Sequence, residues 1–365
     1  MPRGNGGLGM LGLQIRAYIQ QWEKHNMAKK MGFFVLVAAV MGMACHVAGG
    51  HKHPPGECTE GDSEGEGEEE EAGSRAVRMQ NFIKNLSAYA RGLKPGFIVV
   101  PQNGVEVAFH NGNASEGLSD AFMRAIDGFG VEALFYNGRL SIERDVLSML
   151  RTLKNSPTSP TIVVADYVSN NANLADSRQR SKNEGFLASP RSAENDNYQL
   201  IPAIDSQTEN ANDILVLSDA KNWLYLIGAD YSSKQAMLNA IGATNYDVVL
   251  MDLFFWEEAL TPADLQRLKR KANGGQRLVI SYVSIGSAET YRYYWQPGWR
   301  LGNPIWLVEN YAGYPDEFRI QYWHSEWQAI IFGNDNSYMK KIVDAGFDGA
   351  FLDNVDTYCF LSDSN

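Results

Sequence analysis

The sequence predicts an α/β fold, a (β/α)8 TIM barrel, on three observations. Short apolar runs alternate with stretches whose apolar residues recur at helical spacing, the pattern of βα units on a parallel sheet. Eight such runs fit into about 290 residues once the N-terminal region is set aside, which is the length of one barrel. Most of the runs end on a polar or acidic residue, where a barrel carries its chemistry. A doubly wound open sheet is the alternative, weakened because no GxGxxG follows any run.

In chain order the candidate strands are 97–103, 126–132, 161–166, 223–230, 247–252, 277–284, 319–323 and 349–353. Helical spacing falls at 118–125, 142–153, 234–241, 262–272 and 338–345. Thr261 and Pro262 supply a cap and a first-turn proline for the fourth of these. The strand ends carry Gln102, Asn103, Glu132, Asp166, Asp230, Asp252, Ser284, Asp353 and Asp356. Buried carboxylates without partners are costly. A ring of them therefore does acid–base work or binds a cation, or else forms a structural network.

The 365 residues include 32 basic and 43 acidic side chains, a net charge of −11, and are 44% hydrophobic. That composition excludes a wholly disordered or collagen-like chain and argues against a nucleic-acid partner. Three cysteines, Cys45, Cys58 and Cys359, are too few and too scattered for a disulfide scaffold or a zinc site. No cluster shows zinc or calcium ligand spacing, so neither metal nor cofactor is expected.

Residues 31–44 (MGFFVLVAAVMGMA) follow Lys29 and Lys30 in the order of a secretory signal, and the run is short for a membrane span of ~20 residues. Met27 or Met31 is an alternative start. Cys45, after Gly-Met-Ala, loosely resembles a lipoprotein cleavage site, and an uncleaved anchor is the third reading. All three place the remainder outside the cytoplasm, secreted or at the cell surface, with membrane attachment through residues 1–50 only. Residues 51–74 are acidic and Gly-rich and read as a disordered tether. Residues 75–365 read as one monomeric barrel, with 189–212 as a polar connecting loop.

The barrel has mismatched ends. Helix 76–93 has no strand before it, and strand 349–353 has no helix after it. Either the barrel is circularly permuted, so that the first helix packs after the last strand, or it is truncated and carries an extra helix.

The motifs YDVVLMD (246–252), SYVSIGSAETYR (281–292), YWHSEW (322–327) and GFDGAFLDNVD (346–356) resemble glycoside hydrolase family 114, the endo-α-1,4-polygalactosaminidase-like extracellular glycosidases. PGFIVVPQNG (95–104), GVEALFY (130–136) and VVADY (163–167) resemble the C-terminal portion of that family, although here they come first. The resemblance therefore favours the permutation, and makes 223–230 strand one, 349–353 strand five and 97–103 strand six.

It also implies two catalytic carboxylates, Asp353 at the end of strand five and Glu132 at the end of strand seven. Glycoside hydrolysis needs one carboxyl group to protonate the leaving oxygen and one to attack the sugar or activate water. Glu132, flanked by Val131, Leu134 and Phe135, is expected to be the desolvated acid/base. Asp353, helped by Asn354, is expected to stay ionised as nucleophile or stabiliser. The alternatives are a structural Glu132–Arg139 pair and a loop-capping role for Asp353.

Asn103, Asp166 with Tyr167, Asp230 with Tyr231, Asp252, Tyr282, Glu289 and Asp356 are expected to bind substrate. Trp295 or Tyr136 is expected to be a sugar platform. Many relatives have glutamate in place of Ser287, so this chain lacks one carboxylate there. The expected function is a secreted glycosidase acting on an amino-sugar polysaccharide resembling polygalactosamine. The alternative is a non-catalytic carbohydrate-binding barrel. A barrel isomerase or aldolase would want a phosphate loop or a strand-end lysine, and neither is present.

Overall fold

The computed structural model describes residues 66–192, 198–228 and 230–361, and for 66–74 the backbone alone. The signal or anchor segment, residues 51–65 of the expected tether and the loop residues 193–197 lie outside the described residues. No helix among the described residues is long and apolar enough to cross a membrane.

Along the chain, helix α1 (Glu66–Leu93) leads into β1 (Ile98–Pro101), followed by α2 (Asp120–Met123), β2 (Gly128–Leu140), α3 (Arg144–Lys154), β3 (Thr161–Val168), α4 (Ala172–Asn183), β4 (Leu187–Ala188) and β5 (Arg191–Ser192). The second half opens with β6 (Trp223–Leu226), α5 (Lys234–Gly242), β7 (Val248–Asp252), β8 (Phe254–Phe255), β9 (Glu258–Ala259) and α6 (Pro262–Leu268). It continues through β10 (Leu278–Ser284), β11 (Ser287–Glu289), β12 (Leu307–Asn310), β13 (Glu317–Ile320), α7 (Ser325–Ile331), α8 (Tyr338–Ala345) and β14 (Gly349–Asp353).

The parallel strands stand in the order β6-β7-β10-β14-β1. A Gln102–Gly130 bridge carries the ladder on to β2, and β3 and then β4 with β5 complete eight positions. Among the described residues no ladder joins β5 to β6, so the layer is not a closed barrel. The Trp223 Nε1 donates to the Leu187 carbonyl across that seam at 3.3 Å.

The layer is nevertheless rolled. Phe351 of β14 lies 6.3 Å from the Trp223 ring and 5.6 Å from the Tyr225 ring, although β6 is three positions away. Gly130 makes room for this, because a Cβ there would strike the Phe351 ring at 2.5 Å.

Alternation along the strands divides the apolar residues into two cores, as the period of two requires. Ile98, Val100, Val163, Tyr225, Leu250, Ile280 and Phe351 form the inner one. Val99, Phe129, Val164, Leu224, Val249, Val279 and Leu352 face the helices. Helix α1 buries Met79, Phe82, Ile83, Leu86 and Ala90, one face at helical spacing. With Lys94 just after it, the helix reaches residues on either side of β14: Arg75 donates to the Leu361 carbonyl, after the strand, and Lys94 donates to the Phe347 carbonyl, before it, at 2.5 Å.

Four expectations are corrected. Segment 319–323 is not one of the parallel strands. Glu317–Ile320 pairs antiparallel with β11 and β12, because Arg319 and Gln321 do not suit a strand buried on both faces. The vacated position is filled by β4, just before the expected loop 189–212, and by β5 within it, on either side of Pro190. Counting from β6, β14 is therefore fourth, β1 fifth and β2 sixth. Helix α1 extends back to Glu66 into the expected tether, in keeping with the helix propensity of glutamate.

Candidate active site

Glu132 sits where β2 breaks step. The β2–β3 register runs to Glu132↔Ala165 and resumes at Asn137↔Tyr167. Ala133 adopts φ +53° in this bulge, a conformation strained for any residue with a Cβ. Asp166 holds the bulge: its Oδ1 accepts from the amides of Phe135 (2.9 Å) and Tyr136 (3.2 Å), and its Oδ2 from the Ser177 hydroxyl (2.6 Å). Asp166 thus ties down the bulge on the side that follows Glu132.

Burial pushes the Asp166 carboxyl up to about 6, against those hydrogen bonds. The group ionises near 4 when unfolded, so its contribution favours the folded state below pH 4 and is lost as pH rises to 6. Asn cannot titrate but keeps the acceptor oxygen. The stability of Asp166→Asn relative to wild type should therefore improve by on the order of 2–3 kcal/mol between pH 4 and pH 6. Denaturant titrations at the two pH values check this, and a pH-independent difference would contradict it.

The Glu132 carboxylate accepts a hydrogen bond from the Tyr167 hydroxyl at 2.5 Å, and that hydroxyl lies 2.6 Å from the Tyr198 hydroxyl. The Arg191 guanidinium stands 3.1 Å above the Tyr198 ring, with Tyr167 and Tyr225 at 5.1 and 4.9 Å. The Glu132 amide donates to Asn103 Oδ1 at 3.2 Å, so Asn103 is a positioning contact for Glu132.

Asp353 ends β14, and its Oδ2 accepts from the Tyr282 hydroxyl at 2.6 Å. Burial and the Asp353 charge hold that phenol well above its usual range, so it stays a donor. Asn354 does not serve Asp353. At φ +59° it turns away, donating to Ser284 (2.9 Å), Ser287 (3.0 Å) and Glu317 (3.1 Å) and accepting from Tyr311 (2.9 Å). A methyl at Gly286 would overlap the Asn354 carbonyl oxygen, so glycine is required beside this turn. The Ser287 hydroxyl donates to Glu317. The site that lacks a carboxylate at 287 receives one from β13.

Glu132 and Asp353 act on one hydroxyl. Tyr225, which donates to Gln102 at 3.1 Å, is held well above its usual range by burial first, then by Asp353, then by Glu132. Contacts link the two sides: Glu132 meets Tyr167, Tyr167 meets Tyr198, the Tyr198 ring lies 3.9 Å from that of Tyr225, and Tyr225 lies 5.6 Å from Phe351, two residues before Asp353.

The other expected residues divide. Arg292 joins two of them, reaching Asp252 at 2.6 Å and Glu289 at 2.5 Å. Burial raises the Asp252 carboxyl and Arg292 partly offsets it. Asp356 is buried beside Asn103, Gly104 and Glu106, whereas the Tyr358 hydroxyl goes to Gly104 and Glu106, both at 3.4 Å. Asp230 lies exposed beyond β6 and is not brought to Glu132 and Asp353 by any described contact.

Tyr136 is not a platform. It is buried, and its hydroxyl donates to Asp176 at 2.6 Å. Trp295 is half-buried, stacked on Phe318 at 5.4 Å and edge-on to Trp299 at 5.3 Å, and packs the β11–β13 sheet. Sequence reasoning missed Arg191, Tyr198, Tyr225, Arg292 and Glu317. Arg292, the last residue of the SYVSIGSAETYR motif, and Tyr225, in candidate strand 223–230, stood in segments already singled out.

The sequence profile of glycoside-hydrolase family GH114 matches residues 204–365. This segment belongs to GH114. The GH114 segment contains Asp252, Tyr282, Glu289, Asp353 and Asp356, whereas Glu132 and Asp166 precede it. Uncharacterized proteins are similar to this chain. One from Deinococcus radiodurans is 36% identical over 124 residues, covering 34% of this chain and 38% of the relative. One from Methanocaldococcus jannaschii is 29% identical over 183 residues, covering 49% and 50%. One from Thermotoga maritima is 29% identical over 137 residues, covering 38% and 39%. The chain spans half or less of the length of these curated relatives.

Proposed function

We propose that the protein is a secreted glycoside hydrolase that cleaves an amino-sugar polysaccharide of the polygalactosamine type, with Glu132 as acid/base and Asp353 as nucleophile or electrostatic stabiliser. The observation that carries this reading is that Glu132 at the β2 bulge and Asp353 at the end of β14 are both buried, each accepts from a tyrosine hydroxyl, and both raise the Tyr225 phenol. Two carboxyl groups on separate elements at one mouth are what glycosidic cleavage needs. Membership of the 204–365 segment in GH114 supports the reaction class. Buried Glu289, Glu317 and Asp356, with a net charge of −11, favour a cationic polymer. Export is supported by the signal-like segment and by Cys359, which is disulfide-bonded.

The same reading makes the barrel circularly permuted. The GH114 segment supplies the first four strand positions in space, and residues 98–192 supply the last four. On this reading helix α1, which with Lys94 reaches residues on either side of β14, takes the place of the crossover helix between β14 and its neighbour β1.

Incubation of the purified protein with galactosaminogalactan tests the activity. Reducing ends should appear, and their absence over a range of amino-sugar polymers would leave a carbohydrate binder instead.

A further inference from the structure

Beyond Asp252 the chain folds into hairpin β8–β9, with Phe254 opposite Ala259 and Phe255 opposite Glu258. Trp256 and Glu257 are the two turn residues, and Trp256 has φ +55°. The first position of such a turn calls for glycine, asparagine or aspartate, and a bulky ring there is strained. Packing does not offset the strain, because Trp256 is 61% exposed. Strained residues that persist in this way gather at functional sites.

The hairpin beneath it is rigidly held. Asp252 Oδ1 accepts from the Phe254 amide at 2.8 Å, Lys234 pairs with Glu258 at 2.7 Å, and the Phe254 ring packs edge-on to Tyr338 at 5.9 Å. From its base a continuous path leads to the candidate site. Asp252 meets Arg292 at 2.6 Å, Arg292 lies 6.0 Å from the Tyr282 ring, and Tyr282 donates to Asp353 at 2.6 Å. β7 stands two strands from β14, an offset of roughly 10 Å, or about two sugar units.

We propose that Trp256 is a stacking platform for one sugar ring of a polysaccharide chain, about two units from the scissile bond. Its flat face suits the apolar face of a hexose, and exposed Glu257 beside it suits an amine on that sugar. The inference rests on the glycosidase reading and adds an outer subsite to it.

Calorimetric binding of galactosaminogalactan fragments to Asp353→Asn, alone and combined with changes at Trp256, tests the platform. Trp256→Ala should weaken binding of fragments longer than about four sugars by about tenfold. Disaccharide binding should be unchanged, and Trp256→Tyr should restore most of the loss. Trp256→Gly should bind as poorly as the alanine variant yet melt no lower than the parent, because glycine tolerates the positive φ. Unchanged long-fragment binding in Trp256→Ala overturns the proposal, as does a loss that tracks a fall in Tm across the series. No binding by the parent also overturns it. If the wild type binds long fragments through Trp256 without cleaving them, the hydrolase reading fails and the platform stands. If wild type and Trp256→Ala cleave long fragments with equal kcat/KM, the platform fails and the hydrolase reading stands.

Discussion

Asp353→Asn and Glu132→Gln each leave a folded protein that hydrolyses its polysaccharide about a thousandfold more slowly or not at all. Folding survives because each replacement keeps the acceptor oxygen its tyrosine uses. Asn at 353 still accepts from Tyr282, and Gln at 132 still accepts from Tyr167. What goes is the proton at 132 and the negative charge at 353, a loss of about 4 kcal/mol of transition-state stabilisation for a thousandfold effect. The two variants should part company on an aryl glycoside with an acidic phenol as leaving group. That leaving group needs no protonation, so Glu132→Gln should recover much of its first step and Asp353→Asn should not. Equal recovery in both would remove the assigned roles, and wild-type turnover in either would remove the residue from the mechanism.

The two carboxylates proposed for this chemistry could be picked out because each follows a buried-strand pattern. FLD at the end of β14 and GVE in β2 each place a carboxylate directly after residues that must be inside. Family resemblance then paired them across the chain, and the shared influence on Tyr225 agrees with that pairing. What stayed hidden depended on contacts rather than on local pattern. β5 is two residues long beside Pro190, too short and too broken to carry a periodic signal. Helix α4 buries only Ser177 and Ser181, so it has no apolar face to detect. Segment 319–323 has the alternation of a strand, but alternation does not say which sheet the strand joins. Tyr136 failed as a platform for the same reason that Trp256 was overlooked. Exposure, and not aromatic character, separates a sugar platform from packing, and sequence does not report exposure.

Lys271→Met should destabilise the protein by about 3–5 kcal/mol, the largest stability effect expected of a single polar substitution here. Lys271 and Asp247 are paired at 2.5 Å with both side chains wholly buried. The ammonium also donates to the Asn212 carbonyl (2.8 Å) and Asn210 Oδ1 (3.2 Å). The carboxylate also accepts from the Lys221 amide (2.8 Å) and Asn210 Nδ2 (3.0 Å). Together they fasten residues 210–222 to the start of β7, and that segment feeds β6, which carries Tyr225. Removing the ammonium alone strands a charge in the interior, which is why the single change costs more than the pair itself contributes. Asp247→Asn in the same protein should therefore recover part of the loss, giving a favourable coupling of 1 kcal/mol or more in a urea-denaturation cycle. Strict additivity would mean that the two groups do not stabilise one another, despite their contact. Activity below the melting transition is the complementary readout. The pair lies at the strand starts, opposite the end that carries Asp353, so kcat at low temperature should stay near wild type while Tm falls. A collapse of kcat in a still-folded Lys271→Met protein would mean that the entry of β6 sets the position of Tyr225 at the site.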